Sequence, residues 1–192
     1  MIDYKTAFEK ADEAMLNGWG AEMAIEELKK AIGFNLPELP PFYFICPAST
    51  RFHGNYEGGL FAHSYEVAKQ LCTYTQALGL DWERPESPVI VGLLHDLCKC
   101  EQYAMKKGND GVISWVHDEA AIMPDHGALS VIIAQQMGVN LTDEEIACIR
   151  WHMGAFEKDP RLWNYYGNAI EVFPNVLYTH TADMAASRIK GF

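Results

Sequence analysis

The chain is short of basic residues and of long apolar runs. Its 15 Lys and Arg stand against 26 Asp and Glu in 192 residues, a formal net charge of −11. A field of that sign repels polyanions and argues against extended, sequence-independent binding of nucleic acid, while leaving room for a small phosphorylated ligand. No apolar stretch approaches the roughly 20 residues of a membrane span. The opening residues, MIDYKTAFEKADEAML, are charged and amphipathic, unlike a basic region followed by a greasy one. A cytoplasmic protein without membrane attachment is expected. The five cysteines, Cys46, Cys72, Cys98, Cys100 and Cys148, are odd in number and show no paired framework. That excludes a disulfide scaffold and fits small core residues in a reducing compartment. There is no internal repeat and no low-complexity tract.

What remains is 49% hydrophobic and 21% charged, enough for one compact domain with a real core. Helical periodicity dominates. YKTAFEKADEAML and AEMAIEELKKAIG repeat apolar residues at three- and four-residue spacing with Gly18 and Gly20 between them, which predicts a helical hairpin. The proline cluster LPELPPFYFICP then stops helix and forms a linker. Residues 1–45 are accordingly expected to be an N-terminal extension, and residues 46–192 the main domain. Helices are expected at about 60–79, 88–100, 126–137, 142–153, 160–170 and 174–189, with a β-hairpin at 102–116 around an Asn-Asp-Gly turn. The fold class is all-α with a small β-hairpin insertion.

The stretch GLLHDLCKCEQY sets His95 beside Asp96 in an oily helix predicted to start with Ser87 as its N-cap and Pro88 in the first turn. On a helical wheel apolar residues cover most of the circumference, and a sector of about 100° holds Gly92, His95, Asp96 and Lys99. Cys98 and Cys100 fall on the apolar side and read as packing. A helix buried nearly all round must turn such a stripe to a polar interior site or satisfy it as core polar groups. A second pair, His117-Asp118, ends the predicted hairpin and is assigned to the surface. His63 sits in the first turn of GGLFAHSYEVAKQL, His126 opens DHGALSVIIAQQMG, His152 closes TDEEIACIRWHMG, and Asp183 lies in the Ala-rich VLYTHTADMAAS. Successive intervals of 26 to 32 residues separate these groups. That is about one helix out and one back, so the four histidines and two carboxylates can return to one level of a bundle.

This pattern resembles the HD-domain superfamily of metal-dependent phosphohydrolases in its two-metal form, over about residues 46–192. The segments PASTRFHGNYEGGLFAHSYEV, GLLHDLCK, DHGALS, RWHMG and LYTHTADMAAS are most similar to the HD module of bacterial 3'-to-5' exoribonucleases, whose separate nucleic-acid-binding domain has no counterpart here. The resemblance implies an HD-domain helical bundle in which His63, His95, Asp96 and Asp183 hold one metal and His126 and His152 a second, with Asp96 bridging. A nitrogen and oxygen shell suits two divalent ions of manganese, iron, cobalt, nickel or zinc better than magnesium. The implied activity is hydrolysis of a phosphoester of a nucleotide, dinucleotide or short oligonucleotide, with Asp96 and Lys99 as catalytic residues. Lys99, Arg51 and His53 are expected to bind a nucleotide-like substrate, His180 to support the site from outside, and Arg150, Lys158, Arg161 and Arg188 to flank the later ligand positions. Trp151, Phe156, Trp163, Tyr165 and Tyr166 are assigned to core and helix packing. Alternatives within the same resemblance are a di-iron oxygenase and a non-catalytic nucleotide sensor.

Overall fold

The computed structural model describes residues 2–52, 54–123, 125–156 and 159–192 and, at Ala155, the backbone alone. The N-terminal pair forms as its periodicity dictates. Helix α1, Tyr4–Leu16, is capped by Asp3, whose side chain accepts from the Thr6 amide at 3.0 Å, and it buries Tyr4, Ala7, Phe8, Ala11 and Ala14. Helix α2, Gly20–Ile32, folds back on it and buries Ala24, Ile25 and Leu28. Asp12 of α1 accepts from the Tyr65 hydroxyl at 2.8 Å and from the Lys69 ammonium at 2.7 Å, which ties the pair to α3, Gly59–Leu78. After a 3₁₀ turn at Pro41–Phe44, the chain enters α3 and then α4, Ser87–Leu94, in which every residue is buried.

Helix α4 is shorter than its hydrophobic pattern predicts. Instead of running to residue 100, it stops at Leu94 and passes through tight turns to a separate turn of helix, α5, Lys99–Gln102. The amides of Leu97, Lys99 and Cys100 reach back three residues, to Leu94, Asp96 and Leu97, so the chain tightens where the polar pair sits. Ser87 is the first residue inside α4 and not its cap, and its hydroxyl donates to Glu145 at 2.8 Å.

Strands β1, Tyr103–Lys107, and β2, Ile113–His117, pair antiparallel with Tyr103 opposite His117, one residue beyond the expected end of the hairpin. Helices α6, His126–Gln136, and α7, Asp143–Arg150, follow, then α8, Trp163–Val172, and α9, Asn175–Ala185. A 3₁₀ turn, Pro160–Leu162, replaces the start expected for α8, and a π turn, Ala186–Lys190, replaces the end expected for α9. No helix of the described residues is long and apolar enough to cross a membrane.

One buried carboxylate aligns the two short helices that end at the polar interior. Thr142 and Glu145 form a capping box at the start of α7. The fully buried Glu145 also receives both Arg84 Nε, at 2.8 Å, and an Arg84 terminal nitrogen, at 2.6 Å, together with the Ser87 hydroxyl at the start of α4. Both α4 and α7 are eight residues long. Starting at one clamp and rising about 12 Å, they finish at the same level, just before His95 and His152. The lateral spacing is set by glycine: a Cβ on Gly92 would stand 2.3 Å from Ala68 Cα and 2.4 Å from its nitrogen, backbone atoms of α3 that cannot yield. Gly92→Ala should therefore lower the unfolding free energy by about 1–3 kcal/mol in denaturant titration; an unchanged midpoint would mean that the two helices can move apart.

Candidate metal centre

A cavity of about 880 Å³ is lined by Asp96 just after α4, His152 just after α7, His126 at the start of α6 and Asp183 in the last turn of α9, and His63 of α3 and His95 are buried against these groups. His63 and His95 are fully buried and their Nε2 atoms are 3.2 Å apart. Asp183 Oδ1 stands 3.1 Å from His63 Nε2, and the ligand atoms of His63, His95 and Asp183 all lie within 4.8 Å of one another. Asp96 Oδ2 is 3.4 Å from His95 Nε2 and 3.6 Å from His63 Nε2. Its other oxygen, Oδ1, faces His152 Nε2 at 3.5 Å. One carboxylate thus looks two ways.

The tautomers follow from the helix ends. A terminating helix leaves its last carbonyls without amide donors. His95 Nδ1 takes the Gly92 carbonyl at 2.9 Å and His152 Nδ1 takes the Ile149 carbonyl at 2.8 Å, each three residues back. A carbonyl can only accept, so both Nδ1 atoms carry hydrogen, and in the neutral rings both Nε2 atoms present bare lone pairs. The His95 lone pair meets His63 Nε2 and a carboxylate, and the His152 lone pair meets Asp96 Oδ1. Buried His152 Nε2 has no hydrogen-bond partner among the described residues. Where the His95 and His152 lone pairs face the Asp96 carboxylate, acceptor meets acceptor at a buried site, which is repulsive unless a cation joins them. The donor set therefore fits divalent metal, with outer acceptors of the kind that orient ligating imidazoles.

Charge balance supports the same reading. Burial works against ionisation of Asp96, but the Lys99 ammonium and the nearby imidazoles outweigh it and hold the carboxyl well below the usual range. Burial likewise opposes the charge on Lys99, and Asp96 restores it, so Lys99 stays protonated with its ammonium hydrogen-bonded to Asp96 Oδ2. Burial also opposes the charge on Asp183, while His63 and the other rings bring its pKa below the ordinary value. Burial pushes the His126 imidazole down, toward the neutral form that can act as a ligand.

The sequence-derived residues divide unevenly. His63, His95, Asp96, His152 and Asp183 converge as expected. His126 lines the same cavity, but its Nδ1 lies 3.4 Å from Cys98 Sγ. Burial pushes the Cys98 thiol up to about 12, so it stays protonated beside the ring. Cys98 is thus a neighbour of a candidate ligand rather than plain packing, and no periodicity signals this. Lys99 reaches the floor, engaged with Asp96. Arg51 and Arg188 line the cavity, whereas His53 and Lys158 lie outside the described residues. His180 donates from Nδ1 to the His152 carbonyl at 2.8 Å and so supports the site from outside.

Other placements add to or change the expectations. His117 is exposed, as expected, and also lines the cavity, its ring against Tyr103 at 4.9 Å. Phe156 also lines the cavity, while Trp163 and Tyr165 on α8 are exposed instead of packed in the core. Arg150 is drawn from the site by Asp125, at 2.8 Å, and lies on the Trp151 ring; Arg161 pairs with Asp159 at 2.6 Å, exposed. Trp151 and Tyr166 pack together as expected.

The Asp96–Lys99 pair generates a test. Lys99→Ala leaves a buried carboxylate without its cation and should cost about 3–5 kcal/mol in the metal-free protein. Saturating Mn²⁺ should recover most of that loss in denaturant titration, because a metal supplies the missing charge; a loss indifferent to Mn²⁺ would show that no ion binds beside Asp96.

Comparison with known proteins bears on this geometry. No curated protein and no solved structure matches the chain significantly. A family model described as the HD domain matches residues 60–182, a span that takes in His63, His95, Asp96, His126 and His152 and stops one residue before Asp183. The chain belongs to the HD-domain family, whose members are in general metal-dependent phosphohydrolases.

Proposed function

We propose that the protein is a two-metal phosphohydrolase that cleaves a phosphoester of a small nucleotide-like substrate. The observation that carries this is the placement of Asp96: Oδ2 faces His63 and His95 while Oδ1 faces His152, as a carboxylate shared by two ions would. His63, His95, Asp96 and Asp183 would hold one ion, and His152 and His126, with Asp96, a second. Manganese, iron, cobalt, nickel and zinc suit this mixed shell. When bound, such ions supply Lewis-acid polarisation of phosphoryl oxygens and lower the pKa of a coordinated water toward neutrality.

The chain's own groups do the rest. Two carboxylates against two divalent ions leave a formal excess near +2, which favours an anionic phosphoester at the cavity floor. Lys99 adds an ammonium at the Asp96 edge, where it fixes the carboxylate's orientation and faces the same cavity. The Gly92 and Ile149 carbonyls keep His95 and His152 in the ligating tautomer, and His180 steadies the turn that carries His152. The cavity volume falls in the range of small-molecule sites, roughly 300–1,000 Å³, and suits a substrate of nucleotide size better than a polymer.

Elemental analysis of the purified protein, followed by a Mn²⁺-supplemented screen of phosphomonoesters and diesters, tests the reading. Two equivalents of metal and phosphoester turnover are expected; iron with oxygen consumption and no hydrolysis would overturn it. Asp96→Ala should lose both ions and lower kcat/KM by more than about a hundredfold. His152→Ala should lose one ion and keep the other, which metal titration by calorimetry resolves as one step in place of two.

A further inference from the structure

Arginine pairing in this chain is uneven. Arg84, Arg150 and Arg161 each hold a carboxylate, Glu145 at 2.6 Å, Asp125 at 2.8 Å and Asp159 at 2.6 Å. Arg51 and Arg188 have no carboxylate partner among the described residues, and both line the metal-centre cavity. With 26 acids against 15 bases, an arginine has carboxylates in excess to choose from. That the two without one share a single cavity is therefore informative. The cavity's other strong charges are already engaged: Lys99 with Asp96, and Asp183 with His63. Among the described residues, Arg51 and Arg188 are the cavity lining's cations without a carboxylate partner.

They also lie on one side. Arg51 precedes Gly54, at which a Cβ would stand 3.4 Å from the carbonyl carbon of Phe192. Arg188 precedes Phe192, whose amide closes the C-terminal turn on the Ala186 carbonyl at 3.1 Å. The loop before α3 and the turn after α9 thus approach each other, and each contributes one arginine to the cavity lining. The hairpin supplies another wall of the cavity, where Trp115 and His117, two apart on β2, share one strand face. Trp115 is held edge-on by Phe42, ring centres 6.0 Å apart.

We infer that Arg51 and Arg188 form a second anion subsite, and that the substrate carries a further phosphoryl group besides the one attacked at the metal centre. This rests on the phosphohydrolase reading above and narrows it to nucleotides with two separated phosphoryl groups. Guanidinium forks suit such a group through paired charge-assisted hydrogen bonds. The aromatic hairpin face is placed to take the base between the two anions.

The test compares thymidine 5'-(p-nitrophenyl phosphate) with and without a 3'-phosphate, so that the scissile bond is the same and only the second phosphoryl group differs. The parent protein with Mn²⁺ should show a KM about tenfold or more lower for the 3'-phosphorylated ester. Arg51→Ala and Arg188→Ala should each reduce that preference and the double variant should abolish it, read as the ratio of the two esters' KM values within each variant, so that a change in turnover common to both esters cancels. Equal KM values in the parent, or a preference that survives in the double variant, would overturn the subsite. Calorimetric binding of thymidine 3',5'-bisphosphate and thymidine 5'-monophosphate separates this failure from failure of the hydrolase reading, because it needs no turnover. If neither ester is hydrolysed, about tenfold tighter binding of the bisphosphate to the parent and equal binding to the double variant still support the subsite; equal binding to the parent rejects it.

Discussion

The Glu145 carboxylate, buried among Arg84, Ser87 and the Thr142 amide, is the constraint on which the rest depends. It fixes where α4 and α7 begin, and because the two helices are equally long, it fixes where they end. His95 and His152 then meet with ring centres 5.0 Å apart without either helix having to bend. A buried carboxylate with a guanidinium partner is no large source of stability. Its value here is registry: a slip of one residue at the clamp would carry a histidine about 1.5 Å along the axis and around by about 100°.

The polar interior is built around unfavourable contacts that only make sense together. Two imidazole lone pairs and two carboxylates face inward, and the Lys99 ammonium offsets only part of the negative charge. Folding brings these groups together because the hydrophobic faces of α3, α4 and α7 leave them nowhere else to go. The fully buried Leu93, Leu94 and Leu97 surround the His95-Asp96 pair in sequence and hold it in place by packing.

Much of this was legible in the sequence where it depended on periodicity or on the inventory of side chains. The helical hairpin at the N-terminus, α3, α6 and the β-hairpin follow from apolar spacing and turn residues, and regular intervals from His63 through His95-Asp96, His126 and His152 to Asp183 allow these groups to meet at one level. What escaped depends on tertiary geometry. Thr142 and Glu145 spell a capping box, but nothing in their spacing says that the same carboxylate crosses 61 residues to Arg84. A wheel drawn over residues 88–100 presumes an unbroken helix, so it put Cys98 on an apolar face; the tight turns after Leu94 bring it to His126 instead. His117 is legible as a surface residue, but its place in the cavity wall is not, because alternation shows which residues share a face and not what that face covers.

Gly92 joins two demands that most sites keep apart. Its missing side chain sets how near α3 and α4 approach, while its carbonyl decides which nitrogen of His95 keeps its proton. Any change that spread those helices would leave that bond intact but would part His95 from His63, which α3 carries. Helix spacing and ligand geometry at this centre are therefore a single variable, and substitutions that reshape the ligand cavity without disturbing it are to be sought in the hairpin, the loop before α3 or the C-terminal turn.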